Sequence, residues 1–201
     1  GKQINFGQIW LKKKEKTTAR SHSHYKENSL IINLSPKEIS MCKQAATMRW
    51  QMARLSGVQN QRRDSGRSDN DLDYLGLRAE LSVSKAFDIE HNLFQLGIDE
   101  GADIWLGDIS IDVKSTFYMS GRLLFKSASA FKSSCAVLVC EKSEAEMFIA
   151  GYTPKKFFIE NCYEKDLGHG SGLAMDQKDL RPISNLWEVH VKQKQRRTNN
   201  D

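Results

Sequence analysis

The sequence predicts a mixed α/β fold, and three observations lead to that prediction. Residues 35–57 and 74–88 place apolar side chains at helical spacing. Residues 102–115 alternate between polar and apolar around a Gly107–Asp108 pair, as the two strands of a β-hairpin do. Residues 135–141 form a continuous apolar run, which is typical of a strand covered on both faces. A chain of 201 residues is long enough to build one sizeable core from these elements.

Capping residues predict the first helix, and an apolar stripe predicts the second. Ser35 precedes the first helix, Glu38 can complete a capping box with it, and Gly57 is expected to end it. The second helix, at about residues 74–88, carries an apolar stripe with Glu80 at its edge. A carboxylate in that position has to reach solvent, pair with a cation or bind a metal, because unpaired burial is costly.

Further elements follow the hairpin. The segment SGRLLF, residues 120–125, predicts a third strand, and KSASAFKSS, residues 126–134, predicts a short helix. The segment EMFIAGY, residues 146–152, predicts another strand, and a helix is expected to start at Pro154. Helices and strands thus alternate through the second half of the chain.

Charge is distributed unevenly along the chain. Residues 1–68 hold 14 lysines and arginines against 4 aspartates and glutamates, a net charge of +10, whereas the remainder holds 16 against 21, a net charge of −5. A basic segment joined to an acidic body favours a polyanionic partner such as DNA, although a solvated charged surface is the simpler alternative.

Composition excludes some classes of protein. Hydrophobic residues make up 39% and charged residues 27% of the chain, and no apolar run approaches the roughly 18 residues of a membrane span, so we expect no membrane partner. The four cysteines form no C-x-x-C pair. We therefore expect reduced thiols in an intracellular protein of the cytoplasm or nucleoid.

The hairpin predicts a cluster of charge. If Gly107 and Asp108 form the turn, Asp103 faces Asp112, with Cβ atoms about 4.5–5.5 Å apart. Two opposed carboxylates require a compensating cation, and Mg²⁺ suits such oxygen ligands. Lys114 lies on the same face, where it could orient or deprotonate a water molecule. The alternative is an ordinary solvated hairpin face on which Lys114 neutralises Asp112.

With these residues in place, the sequence resembles the PD-(D/E)XK nuclease superfamily. The stretch GLRAELSVSKAF resembles the first core helix of that family and contains Glu80; GADIW supplies Asp103; IDVK supplies Asp112 and Lys114. The resemblance covers residues 74–160. It implies a restriction-endonuclease-like core in which a central mixed β-sheet, built as helix, three antiparallel strands, helix and strand, is flanked by helices, here with a basic helical N-terminal region.

The resemblance also implies an activity. It predicts a Mg²⁺-dependent DNA endonuclease, with Mn²⁺ as a substitute, in which Glu80, Asp103, Asp112 and the main-chain carbonyl of Val113 hold the metal and Lys114 assists the nucleophile. Restriction, homing, repair and recombination roles stay open. So do a non-catalytic nucleic-acid-binding module on the same fold and a nuclease selective for branched DNA or RNA.

Organisation and DNA contacts complete the prediction. We expect a basic arm (1–34), a helix and linker packed on the core (35–70), the nuclease domain (71–190) and a basic frayed tail (191–201). A homodimer is one way to cut both strands at once. The candidate DNA-binding residues are Arg49, Arg54, Arg62, Arg63, Arg122, Lys126 and Lys132.

Overall fold

The computed structural model describes residues 30–55, 68–94, 101–166 and 170–198. These residues form a mixed α/β structure, as the sequence predicted. The four helices are α1 (Pro36–Leu55), α2 (Asp69–Phe87), α3 (Lys155–Asn161) and α4 (Ile183–Thr198). The eight strands are β1 (Leu30–Asn33), β2 (Ile104–Leu106), β3 (Ile109–Thr116), β4 (Leu123–Phe125), β5 (Cys135–Glu141), β6 (Glu146–Pro154), β7 (Tyr163–Asp166) and β8 (Ser171–Met175).

The central sheet has five strands in the order β1-β6-β5-β3-β2. The pair β3 and β5 is parallel, and the other neighbours are antiparallel. The predicted hairpin is confirmed: β2 and β3 flank the Gly107–Asp108 turn, where Gly107 has a φ of 64° that suits glycine. The predicted two-sided burial of β5 is also confirmed, because all of its residues except Glu141 are buried.

Two apolar layers cover the sheet. On one face, Leu75, Ala79 and Val83 of α2 pack against strand residues that include Ile104 and Ile111. Burying one such aliphatic side chain contributes about 1.5–3 kcal/mol. On the other face, residues of β4, β8 and α3 form a second cluster around Phe131 and Phe158. Because side chains alternate along a strand, Asp112 and Lys114 point towards the second layer, opposite to Ile111 and Val113.

Both long helices begin with a capping box. At α1 the predicted cap is confirmed: the Ser35 backbone N–H donates to Glu38 at 2.7 Å, and the Glu38 N–H donates to the Ser35 hydroxyl at 3.3 Å. Helix α2 starts five residues earlier than predicted, because Ser68 and Asp71 form a second capping box. The expected stop of α1 at Gly57 lies outside the described residues.

The third predicted strand forms but does not belong to the central sheet. Strand β4 pairs with β8, which in turn pairs with β7, in a separate three-stranded sheet. The physical reason is that β2 and β5 already occupy both edges of β3. The three consecutive antiparallel strands implied by the resemblance are therefore not found in the central sheet.

Other predicted segments also differ. Residues 126–134 contain only a three-residue 3-10 helix, Ala128–Ala130, capped by the Ser127 hydroxyl; serine hydroxyls that bond nearby backbone compete with a longer helix. Residues 30–33 of the expected arm form the edge strand β1, which was too short to show a period. The backbone of the expected frayed tail continues as α4 to Thr198. No helix in the described ranges is long and apolar enough to cross a membrane.

Candidate functional site

Strands β2 and β3 pair in the predicted register from Ile104 to Ile111, and Asp103 and Asp112 lie near the end of these paired residues, where they act on one another electrostatically. Ile104 pairs with Ile111, and the Asp103 N–H donates to the Ile111 carbonyl at 2.9 Å. Asp103 therefore lies just before the first paired residue of β2 and next to the strand that carries Asp112, whose charge acts on it. Asp112 is only 7% exposed, so this carboxylate is held inside the protein.

Lys114 forms an ion pair with Asp112 on the same strand of the hairpin. Its ammonium lies 2.5 Å from Asp112 Oδ1 and 4.9 Å from the centre of the Phe125 ring. The aromatic face supports the cation without neutralising it. The lysine is therefore held beside the carboxylate pair while its side chain remains 38% exposed to solvent.

Asp103 shows the electrostatic cost of this arrangement. Its pKa is raised to about 7, chiefly by burial and also by the negative charges of Glu80 and Asp112, although the Val113 N–H and Lys114 oppose the rise. The N–H of Val113 donates to Asp103 Oδ2 at 2.6 Å. Because the N–H and C=O of an extended residue point to the same side of a strand, the carbonyl of Val113 also faces this edge.

Glu80 reaches the site from α2. Its side chain is 14% exposed, and Oε2 lies 3.2 Å from His91 Nε2 and 3.8 Å from the Arg49 guanidinium. Arg49 belongs to α1, so both long helices contribute to the position of this carboxylate. The sequence analysis missed His91. Glu80 lies eleven positions before His91, and the left-handed C-cap Asp88 (φ 54°) stands between them in the chain. No local sequence pattern predicts a contact of this kind.

An open cleft of about 560 Å³ is lined by Glu80 and Lys114, whereas Asp103 and Asp112 lie outside its lining. Strand β3 runs on beyond its last pairing with β2, and its residues 113–116 form one wall. Arg49, Asp73 and Glu80 line the opposite side. Asp73 lies two helical turns before Glu80 on α2; it was missed because the sequence analysis started that helix at residue 74.

A second cleft, of about 530 Å³, adjoins the first. Its lining residues are Lys114, Ser115, Thr116, Tyr118, Ser120, Gly121, Arg122 and Leu124. Four of these, Lys114, Ser115, Thr116 and Tyr118, also line the first cleft. The end of β3 and the loop after it therefore separate two open, partly cationic spaces.

Close packing in that loop gives a first testable prediction. A Cβ at Gly121 would lie 2.3 Å from Thr116 Cγ2 and 2.9 Å from the Tyr118 carbonyl oxygen. We expect Gly121→Ala to destabilise the protein by about 1–3 kcal/mol in denaturant unfolding. Gly76→Ala is the matched control, because open space surrounds its Cβ position within α2 and alanine should stabilise that helix by about 0.5–1 kcal/mol. Equal changes in the free energy of unfolding for Gly121→Ala and Gly76→Ala would contradict the close packing of Gly121 against Thr116 and Tyr118.

Two of the predicted DNA-binding residues lie at the clefts. Arg49 lines the first cleft beside Glu80. Arg122 lines the second, where its Nε donates to Asp176 Oδ1 at 2.9 Å.

The other predicted DNA-binding residues line neither cleft. Arg54 lies over the Trp50 ring at 4.2 Å, and Lys126 and Lys132 are exposed. Arg62 and Arg63 lie outside the described residues.

Whether these residues suit a metal ion depends on their chemistry. Within the described part of the chain, no three histidine, cysteine, aspartate or glutamate side chains form a ready group of metal ligands. Mg²⁺, however, commonly takes only one or two carboxylates and keeps several waters. Asp103, Asp112 and the Val113 carbonyl provide such an oxygen set, and burial together with the neighbouring carboxylates Glu80 and Asp112 raises the pKa of Asp103. The donor set therefore fits a hard divalent cation.

The Asp103 carboxyl gives a second prediction, for stability. Its folded-state pKa of about 7 exceeds its ordinary value of 3.8, so the folded protein keeps a proton that the unfolded chain has lost between these pH values. Stability without metal should therefore fall as pH rises through this window. We expect Asp103→Asn to be more stable than wild type by roughly 1–3 kcal/mol at pH 8 in EDTA, and about equal at pH 4.

The measurement is denaturant unfolding between pH 4 and pH 8 with a matched hairpin control. Asp108→Asn, at the exposed turn, should follow the wild-type curve. If the free energy of unfolding changed with pH in the same way for Asp103→Asn and wild type, folding would not disfavour the charged form of Asp103.

Comparisons with protein-family models, with curated proteins and with solved structures found no match for this chain. The functional argument therefore rests on the geometry of the site.

Proposed function

We propose that this protein is a Mg²⁺-dependent DNA endonuclease of the PD-(D/E)XK superfamily, hydrolysing phosphodiester bonds. One observation carries the proposal. Glu80 from α2 and the aspartates Asp103 and Asp112 act on one another electrostatically, Lys114 lies beside Asp112, and Glu80 and Lys114 line an open cleft. Acidic oxygen donors next to a lysine that borders an open cleft suit phosphodiester hydrolysis.

The metal would be held by Asp103, Asp112 and the carbonyl of Val113, with Glu80 completing the acidic set. When bound, Mg²⁺ or Mn²⁺ would neutralise charge on the scissile phosphate and acidify nearby water. Lys114 now compensates Asp112 at 2.5 Å. If another positive charge neutralised Asp112, the Lys114 ammonium would no longer be needed to balance it. The ammonium could then orient the attacking water or stabilise negative charge on the phosphoryl oxygens.

The surrounding charges support an anionic polymer as substrate. Arg49 and Arg122 line the two clefts and can contact phosphates on either side of Lys114. Residues 1–68 add a net charge of +10, although many of them lie outside the described residues. Binding that depends on such contacts should weaken steeply as salt concentration rises.

A second candidate function is a nucleic-acid-binding module whose carboxylates are structural. The ion pairs of Asp112 with Lys114 and of Glu80 with Arg49 favour it, because they supply positive charge without a metal. This alternative predicts DNA binding without cleavage.

The experiment is a cleavage assay on supercoiled, linear, single-stranded and four-way-junction DNA. Each substrate is incubated with wild-type protein in Mg²⁺, Mn²⁺, Ca²⁺ or EDTA. We expect products in Mg²⁺ and Mn²⁺, and binding without products in Ca²⁺. Binding to DNA with no cleavage of any form in either active metal would favour the module. Mass measurement of the protein–DNA complex in Ca²⁺ would show whether the protein acts as a homodimer.

A further inference from the structure

Tyr118 lies between the two clefts at the end of β3. Its side chain is 62% exposed, and it contributes to the lining of both spaces. It is four residues from Lys114, so its Cα lies at most about 14 Å from that of the candidate catalytic lysine. A large aromatic surface thus stands open to solvent next to the groups proposed to act on a phosphate.

The loop that carries Tyr118 is held firmly. Gln177 donates through Nε2 to the carbonyls of Met119 and Gly121, at 2.8 and 2.7 Å. The Tyr118 backbone donates to Thr116 Oγ1 at 3.2 Å and accepts from the Gly121 N–H at 2.9 Å. A ring on such a backbone is presented to a ligand at small entropic cost.

The charge around Tyr118 identifies the ligand. The second cleft is lined by two cations, Lys114 and Arg122, and its described lining residues include no aspartate or glutamate. The carboxylates that pair with these cations, Asp112 and Asp176, lie outside the lining. The first cleft adds Arg49 on the other side of the ring, together with the acidic Asp73 and Glu80. An exposed aromatic face beside a groove lined by cations is the arrangement by which proteins bind single-stranded nucleic acid, with bases stacked on the ring and the backbone following the positive charge.

We propose that Tyr118 stacks on an unpaired nucleobase next to the scissile phosphate, and that the protein therefore selects DNA with unpaired nucleotides over continuous duplex. This inference rests on the proposed nuclease function. Inside a duplex both faces of a base are covered by its neighbours, so stacking on Tyr118 requires the base to leave the helix. That cost is smallest when the nucleotide is already unpaired.

The test measures binding in Ca²⁺ buffer, so it does not depend on cleavage. The probes are a single-stranded oligonucleotide and a fully paired duplex, each carrying a fluorescent adenine analogue whose emission falls on stacking. Wild type should bind the single strand and quench its emission. Tyr118→Ala should bind it about 5- to 150-fold more weakly and lose the quenching, whereas its affinity for duplex should change less than about twofold.

Two variants make the test specific. Tyr118→Phe keeps the ring and should keep both affinity and quenching. Trp105→Ala removes another exposed aromatic side chain, which lines neither cleft, and should behave as wild type.

The possible outcomes distinguish failure of the stacking role of Tyr118 from failure of the proposed nuclease function. Unchanged single-strand affinity and quenching in Tyr118→Ala, with metal-dependent cleavage intact, would overturn the stacking role and leave the nuclease standing. Quenching by a wild type that never cleaves, with the quenching lost in Tyr118→Ala, would support the stacking surface and reject the nuclease. A wild type that binds neither probe would overturn both.

Discussion

Replacing Lys114 with alanine is expected to reduce Mg²⁺-dependent DNA cleavage by about 10²–10⁴-fold while DNA binding in Ca²⁺ survives. The reason is that Lys114 is the cation beside the carboxylate pair, 2.5 Å from Asp112, and it reaches both clefts. A positioned side chain that moves a proton or stabilises developing charge commonly contributes a rate factor of that size. Initial cleavage rates on supercoiled plasmid are the measurement.

Controls distinguish a chemical role from general loss of positive charge. Lys142→Ala removes an exposed lysine that pairs with Glu146 at 3.1 Å, in the turn between β5 and β6, and should cleave as wild type does. Asp112→Asn keeps the shape of the site and should lose cleavage as severely as Lys114→Ala. Retention of more than about a tenth of wild-type activity by either site variant would reject this site.

The hairpin could be predicted from the sequence because its information is local. Gly107 permits the turn, and strict alternation on both sides fixes the register, since a slip by one residue would turn Ile104 and Ile111 away from the core. The same holds for the capping box of Ser35 and Glu38, which spans only three residues. The register from Ile104 to Ile111 could therefore be predicted from the sequence, whereas the direct pairing of Asp103 with Asp112 stays a prediction.

Long-range pairing could not be predicted in this way. Strand β4 looks like any short apolar strand, and its choice of β8 depends on segments about fifty residues apart that carry no mutual signal. His91 reaches Glu80 only because the chain turns at the left-handed residue Asp88 after α2. Asp73 was missed for a different reason: the loop-like composition before residue 74 concealed the first turn of the helix.

The contacts of Arg78 that hold α2 against the sheet could not be predicted from the sequence either. Arg78 is 2% exposed, donates to Glu141 Oε2 at 2.6 Å and to the Glu144 carbonyl at 3.0 Å, and lies 4.2 Å from the Tyr74 ring centre. Glu80 is two residues further along the same helix. The contacts of Arg78 with the β5–β6 turn therefore help to set the position from which Glu80 faces the cleft.

Arg78→Ala is accordingly expected to destabilise the protein by about 3–5 kcal/mol, because it leaves Glu141 without its buried cation. Urea unfolding of wild type, Arg78→Ala, Glu141→Gln and the double variant measures the effect. The double variant should be more stable than the sum of the two single losses predicts, by about 1–3 kcal/mol, since residues in one ion pair do not act independently. Additive losses would mean that Arg78 contributes through packing alone. In that case α2, and Glu80 with it, would be held by its apolar face.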